Sequence, residues 1–423
     1  MDESNNLSTS RRRLIQGAGV GAGAVVALGA GFVGGRASAD GADIPATDDG
    51  DLVDLTASHA FYTGTHQAGI ETPQQRHTVF MTFDLTTTSK QDLQRLLAQW
   101  SAGIAQLQAG LPIGSVQPTN SAAAPQDTGE AYGLGAAALT VTVGLGPGIF
   151  DGRFGLADKK PKLLADLPKL PSDRLRPELT GGDLSLQACA DDPQVAYHAI
   201  RVLARLGRGT VNTRWTVMGF GRASAGKGQA TPRNLMGFKD GTRNVKEPAD
   251  IDTFVWIGDD SDEIAWMRGG TYQVARKIEM NIEIWDADRI SDQEDVFGRS
   301  KAEGAPLTGR HEFDTPDFAK VVDGKPVIPV TSHVALAAHE NNNGIRILRR
   351  SYNYTDGINE LGHLDAGLLF IAYMNDPGHF IQLQTKLGSS DRLNEYISHV
   401  GSGIFAVPPA PKKGHYLGEE LFG

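Results

Sequence analysis

The chain has 423 residues, 40% of them hydrophobic, which is enough for a large core and for two or three domains. Its single cysteine, Cys189, excludes an internal disulfide, a cysteine-rich metal site and covalent cofactor attachment through Cys-x-x-Cys-His. The formal charge is −10, and without residues 1–39 the balance is 36 Lys/Arg against 48 Asp/Glu, so the acidic body argues against nucleic acid as the partner.

The amino terminus stands apart from the fold. Ser10-Arg11-Arg12-Arg13-Leu14-Ile15 precedes a Gly/Ala-rich, weakly apolar run over 17–35, and Ala37-Ser38-Ala39 stands before Asp40. This is the pattern of a twin-arginine export signal with an Ala-x-Ala cleavage site. A membrane anchor needs about 20 strongly apolar residues, and glycines interrupt this run. The twin-arginine route carries folded proteins, often around a cofactor, which points to a cofactor protein outside the cytoplasm. Residues 40–57, acidic and bearing Pro, Thr and Gly, read as a linker.

Alternation of β-branched and aromatic residues predicts strands over 78–83 and 138–143. Between them Ser89 caps a helix through Trp100, with Leu93, Leu96 and Leu97 on one face. Residues 161–177, rich in proline, read as a surface loop. Asp191-Asp192-Pro193 opens a helix to about Leu206, and residues 215–221 form a strand leading into a Gly/Ser/Lys loop. The second half repeats the rhythm. Strands are expected over 272–280, 344–350 and 367–373, and helices over 291–297 and 379–387. The shared order suggests two α+β units of one architecture, 58–220 and 221–423.

Signatures of zinc hydrolases, P-loop enzymes and serine hydrolases are missing. Gly144-Leu145-Gly146-Pro147-Gly148 lacks a phosphate-binding pattern and reads as a turn. A more informative stretch is Asn234-Leu235-Met236-Gly237-Phe238-Lys239-Asp240-Gly241-Thr242-Arg243-Asn244, where a Gly-x-x-Asp-Gly turn presents one carboxylate between Lys239 and Arg243. By itself Asp-Gly is a common turn. A haem site would add an imidazole for iron, a carboxylate behind it, an acid/base opposite and cations for the propionates. His333 and His339 are the best-placed histidines, ahead of the basic end Arg349-Arg350, which taken alone reads as a solvated strand end.

Together these residues resemble the dye-decolorizing (DyP-type) haem peroxidases, nearest the exported subgroup that includes bacterial deferrochelatases. The resemblance rests on the turn at 234–242 and on Val296-Phe297-Gly298-Arg299-Ser300-Lys301 with Gly304-Ala305-Pro306-Leu307. Ser332-His333-Val334-Ala335-Leu336-Ala337, Ile347-Leu348-Arg349-Arg350-Ser351-Tyr352, residues 367–373 and residues 401–408 follow in order. It implies an α+β fold of two ferredoxin-like halves, antiparallel sheets flanked by helices, with one noncovalent haem b held mainly by the C-terminal half. It further implies His333 as proximal iron ligand, Asp240 as distal acid/base, Arg349 as distal cation and Arg299 as propionate partner. Leu368 and Phe370 would pack the distal side, and Glu395 would support the proximal histidine. Hydrogen peroxide would be the oxidant, and a bulky aromatic reductant or porphyrin the second substrate. A homo-oligomer and iron-uptake partners are also implied. Buried haem is out of reach of bulky dyes, so Trp215, Trp256, Trp266 and Trp285 are candidate electron relays, set against their more ordinary use as core. The chain departs from the family where Ser351-Tyr352 replaces an asparagine found after the distal arginine in some subgroups. It departs again at Ala335, where a basic residue is common, and at the inserted stretch 340–344.

Overall fold

The computed structural model describes residues 53–221 and 231–423; the expected export signal, most of the expected linker and the Gly/Ser/Lys loop lie outside them. The N-terminal half runs β1 (His77–Leu85), α1 (Lys90–Gln108), β2 (Thr140–Leu145), β3 (Leu184–Ala190), α2 (Pro193–Leu206) and β4 (Val211–Phe220). The C-terminal half runs α3 (Pro248–Phe254), β5 (Thr271–Met280), α4 (Ile282–Asp286), α5 (Ile290–Phe297), the hairpin β6 (Val321–Val322) and β7 (Lys325–Pro326), α6 (His333–Ala337) and β8 (Leu348–Arg349). It ends with β9 (Tyr352–Ile358), β10 (Leu364–Met374), α7 (Pro377–Ser390) and β11 (Ile397–Val407). Among the described residues no helix is long and apolar enough to cross a membrane.

The strand pairings are antiparallel and give two sheets of identical plan. β4-β1-β3-β2 forms one and β11-β5-β10-β9 the other, so each half is ferredoxin-like, as expected. The halves join where β4 meets β9 and β11 meets β2, so the main strands close into a ring without free edges. β8 adds a short pairing to β10 through Arg349 opposite Ala372.

Local chemistry explains the elements. Ser89 caps α1 by accepting from the Asp92 N–H, and Asp192 caps α2 by accepting from Gln194 and Val195. α1 runs eight residues beyond the expected end at Trp100, because Ile104 and Leu107 continue its buried face. Besides the short β6–β7 hairpin, three strands escaped the periodicity. β3, Leu184-Ser185-Leu186-Gln187-Ala188-Cys189-Ala190, is buried at all seven positions but has none of the β-branched or aromatic residues that mark the expected strands. β9 is buried only in its first three positions, and β11 carries the glycines Gly401 and Gly403. The expected strand over 344–350 contracts to β8, since most of its residues rim a cavity instead of pairing. Part of the expected surface loop 161–177 lies against the edge of β11, with Arg174 and Arg176 N–H groups donating to His399 and Val400 carbonyls. Trp215, Trp256, Trp266 and Trp285 are each at most 5% exposed and belong to the core.

Candidate active site

The Gly-x-x-Asp-Gly turn is held by its own backbone. Asn234 Oδ1 accepts from the N–H groups of Met236 and Phe238, and the Asp240 N–H donates to the Pro232 carbonyl at 2.8 Å. Gly237 and Gly241 sit at φ of 84° and 124°, angles that side chains resist, so the sharp bend at Asp240 depends on them. Asp240 Oδ1 accepts from Arg349 Nη1 at 3.1 Å. Lys239 and Arg243, adjacent in sequence, turn away to Glu312 and Glu340. Asn244, which the sequence reading passed over, fixes Arg349 from behind: its side chain donates to the Arg349 carbonyl (2.7 Å) and accepts from the Arg349 N–H (2.9 Å).

Asp240 and Arg349 border a cavity of about 250 Å³ whose walls include Met236, Phe238, Ile278, Phe297, Leu368 and Phe370. His333 borders the same cavity as the first residue of α6, placed there by the Ser332 cap. Its Nδ1 pairs with Asp391 Oδ2 at 2.6 Å, and its Nε2 has no protein partner among the described residues. Burial would lower the His333 pKa, but the charge and hydrogen bond of Asp391 outweigh it and hold the imidazole above its ordinary value. His339 also borders the cavity, but Glu340 and Arg346 engage its two ring nitrogens at 3.3 and 3.2 Å.

The carboxylate behind His333 is therefore Asp391, which corrects the expectation of Glu395. Asp391 ends α7 and caps the next turn through its bond to the Leu393 N–H, which fixes its side chain between the two elements. Glu395, one helical turn later, is exposed. An Asp at a helix-to-turn junction was the available signal. Arg350, by contrast with the solvated reading, is 4% exposed and donates to the Thr72 and Pro73 carbonyls and to Gln75.

Arg299 borders the cavity, 6% exposed, and donates to the carbonyls of Gly304 (2.6 Å) and Glu312 (2.9 Å). Burial first, then the nearby Arg243 and Arg349, push its pKa down to about 10, although Glu312 opposes them. Four guanidinium groups, Arg243, Arg299, Arg346 and Arg349, thus border one mainly apolar space, and Arg299 donates to carbonyls where the other three are paired with carboxylates. A second cavity, about 310 Å³, meets the first at Asp240, Arg349 and Leu368.

Residues 67–221 match the family model described as Dyp-type peroxidase, N-terminal, and residues 231–412 match Dyp-type peroxidase, C-terminal. The chain belongs to the Dyp-type peroxidase family. A deferrochelatase of Yersinia pseudotuberculosis is 38% identical over 428 residues, covering 98% of this chain and 95% of the relative. An oxyferrous complex of DtpA from Streptomyces lividans superposes with a TM-score of 0.80 at 37% identity, covering 88% of this chain and 100% of that one. A DyP-type peroxidase from Cellulomonas bogoriensis gives 0.78 at 37% identity, covering 86% and 98%. The chain is a peroxidase, and its cofactor is haem. The residues present fit that group. An imidazole backed by a carboxylate suits iron, apolar walls suit a flat macrocycle, and the guanidinium cluster suits its two propionates.

Proposed function

We propose that this peroxidase works with His333 on the iron, Asp391 behind it, and Asp240 and Arg349 on the opposite side. Arg299, with Arg243 nearby, would hold the propionates, while Leu368 and Phe370 keep the distal side dry. The observation that carries this reading is that one cavity joins the His333–Asp391 pair to the Asp240–Arg349 pair. Bound haem supplies the redox chemistry, accepting the two oxidising equivalents of hydrogen peroxide and passing them to an organic reductant.

The side chains supply proton movement and charge. Asp240 takes a proton from one peroxide oxygen and returns it to the other, so that the departing oxygen leaves as water. Arg349 places a fixed positive charge where negative charge grows on that oxygen, and Asn244 holds the Arg349 backbone so that no reorganisation is needed. Asp391, accepting the Nδ1 proton of His333, fixes the ring orientation and makes Nε2 a stronger donor. In haem-loaded protein, Asp240→Ala should slow the reaction with hydrogen peroxide by on the order of 10²–10⁴ while haem content stays normal. An unchanged rate would overturn the assignment.

The reductants are proposed to be bulky aromatics such as dyes, phenolics and porphyrinogens. A second reading is iron release from haem, favoured by the deferrochelatases that match nearly the whole chain. Iron-free porphyrin fluorescence after incubation of the protein with haem, measured beside peroxide turnover, separates the two. Export by the twin-arginine route rests on residues 10–39; replacing Arg11, Arg12 and Arg13 by lysine should retain the protein in the cytoplasm on fractionation. The homo-oligomer and the iron-uptake partners implied by the resemblance belong to the same reading, with light scattering and co-purification as their checks.

A further inference from the structure

The order of charges along the distal turn conceals their pairing. Lys239 and Arg243 bracket Asp240, yet neither touches it. Lys239 Nζ donates to Glu312 Oε2 at 2.6 Å, and the hydroxyls of Thr231 and Thr242 donate to Glu312 Oε1 at 2.5 and 2.9 Å. Glu312 is 7% exposed and lies in the loop between α5 and α6, at least 70 residues from its three partners. Its own carbonyl accepts from Arg299. One buried carboxylate thereby grips the turn before the bend, beside Asp240 and just beyond it, and joins that turn to the Arg299 segment.

We propose that Glu312 is a positioning residue for Asp240: it locks the turn and neutralises Lys239, so that Asp240 meets Arg349 alone. The proposal rests on the acid/base role of Asp240 given above. Burial would raise the Glu312 pKa, but hydrogen bonds from Lys239, Thr231 and Thr242 and the charge of Lys239 outweigh it, so the group is anionic at neutral pH. The charges around Asp240 can be enumerated. Its own turn carries Lys239, cancelled by Glu312, and Arg243, paired with Glu340 at 2.5 Å. β8 contributes Arg349 followed by Arg350, the segment after α5 contributes Arg299, and α6 contributes His333 with Asp391 behind it. His339 and Arg346, the latter paired with Asp250, border the same cavity, while Glu71, Arg233 and Lys246 border the second. Loss of the Glu312 charge would leave the Lys239 ammonium uncompensated one residue from Asp240, in a partly buried site where a charge is felt strongly.

The test uses the full haem-loaded chain and follows the rate of its reaction with hydrogen peroxide against pH, with haem content and melting temperature as controls. In Glu312→Gln the freed ammonium favours the Asp240 carboxylate, so the acid limb should move to lower pH by on the order of one unit. The plateau should also fall several-fold as the turn loosens. The double variant Lys239→Met/Glu312→Gln should return the limb to its original position while the plateau stays low. Lys239→Met alone leaves the Glu312 anion uncompensated and should move the limb to higher pH, an expectation that survives if the Gln variant fails to fold. Thr242→Val should lower the plateau without moving the limb. A lower melting temperature with an unmoved limb in both Glu312→Gln and Lys239→Met would reduce Glu312 to scaffolding and overturn the proposal. Failure of Asp240→Ala to slow the peroxide reaction would instead overturn the underlying reading, so the two failures are distinguishable.

Discussion

The two halves share a strand plan and use it in opposite ways. In the N-terminal half the segment from β1 to β2 contains one long helix, α1, and Leu93, Leu96, Leu97 and Trp100 from it fill the face of the sheet. Trp100 lies 5.4 Å from Phe83 of β1, ring to ring. In the C-terminal half the corresponding segment, from β5 to β9, is broken into α4, α5 and α6, none longer than eight residues. The strand faces below, with Ile278 and Met280 on β5 and Leu368 and Phe370 on β10, border a cavity and meet α4, α5 and α7 only around its rim. A continuous helix covers a sheet with side chains at every turn, whereas short helices bring their ends to it. Those ends carry the chemistry: Arg299 two residues beyond α5 and His333 at the start of α6.

The contrast breaks first at His333. His333→Ala should leave the C-terminal half folded but without its iron ligand, with the Soret absorbance of purified protein falling to background. Full haem retention would show that another residue holds the iron. Asp391→Asn keeps the ligand and removes the charge behind it, and should cost roughly 10–100-fold in haem affinity or peroxide rate. Glu395→Gln, on the exposed side of the same turn, should do neither. The opposite behaviour belongs to Trp100, which is fully buried and whose Nε1 donates to the Leu203 carbonyl at 2.8 Å. Trp100→Ala should destabilise the protein by about 3–5 kcal/mol in urea titration through the cavity it leaves. Haem per folded chain should not change. A Trp100 variant that lost haem while remaining folded would mean that the halves are not separable in this way.

Much of this contrast was legible in the residues, and the part that was not has physical causes. α1 and α2 announced themselves because Ser89 and Asp192 are side-chain caps before amphipathic runs. The Asp240 bend was legible because Gly237 and Gly241 permit angles that few other residues adopt. β3 was hidden because its Leu, Ser, Gln, Ala and Cys residues include no β-branched or aromatic side chain. The partner of His333 was missed for a different reason. Asp391 and Glu395 are one turn apart, and only the junction of α7 with the turn after it decides which faces the ring. Glu312 could not be found at all from spacing, since its partners lie at least 70 residues away and nothing local marks a loop carboxylate as buried.

The smallest effect tests whether the N-terminal half, built for packing alone, still depends on pH. Asp127 is 1% exposed and accepts from the Ile113 N–H (2.9 Å), the Gly129 N–H (2.8 Å) and His198 Nε2 (2.9 Å), tying the loop after α1 to α2. Burial would raise its pKa, but the backbone N–H groups of Ile113 and Gly129 and the bond to His198 outweigh burial, so the value lies below the usual aspartate range. A depressed carboxylate contributes stability that is fully present above its unfolded value, near 4, and is lost as pH falls through the lower folded value. Asp127→Asn should therefore lower the urea midpoint at pH 6 by an amount equivalent to about 1–2 kcal/mol, and the gap from wild type should narrow as the pH falls below about 4. Haem content at pH 6 should be the same in both proteins, because the pair lies in the half whose sheet face is filled. A gap that stayed constant down to the lowest pH would mean that the loop is held by its backbone bonds and not by the charge of Asp127.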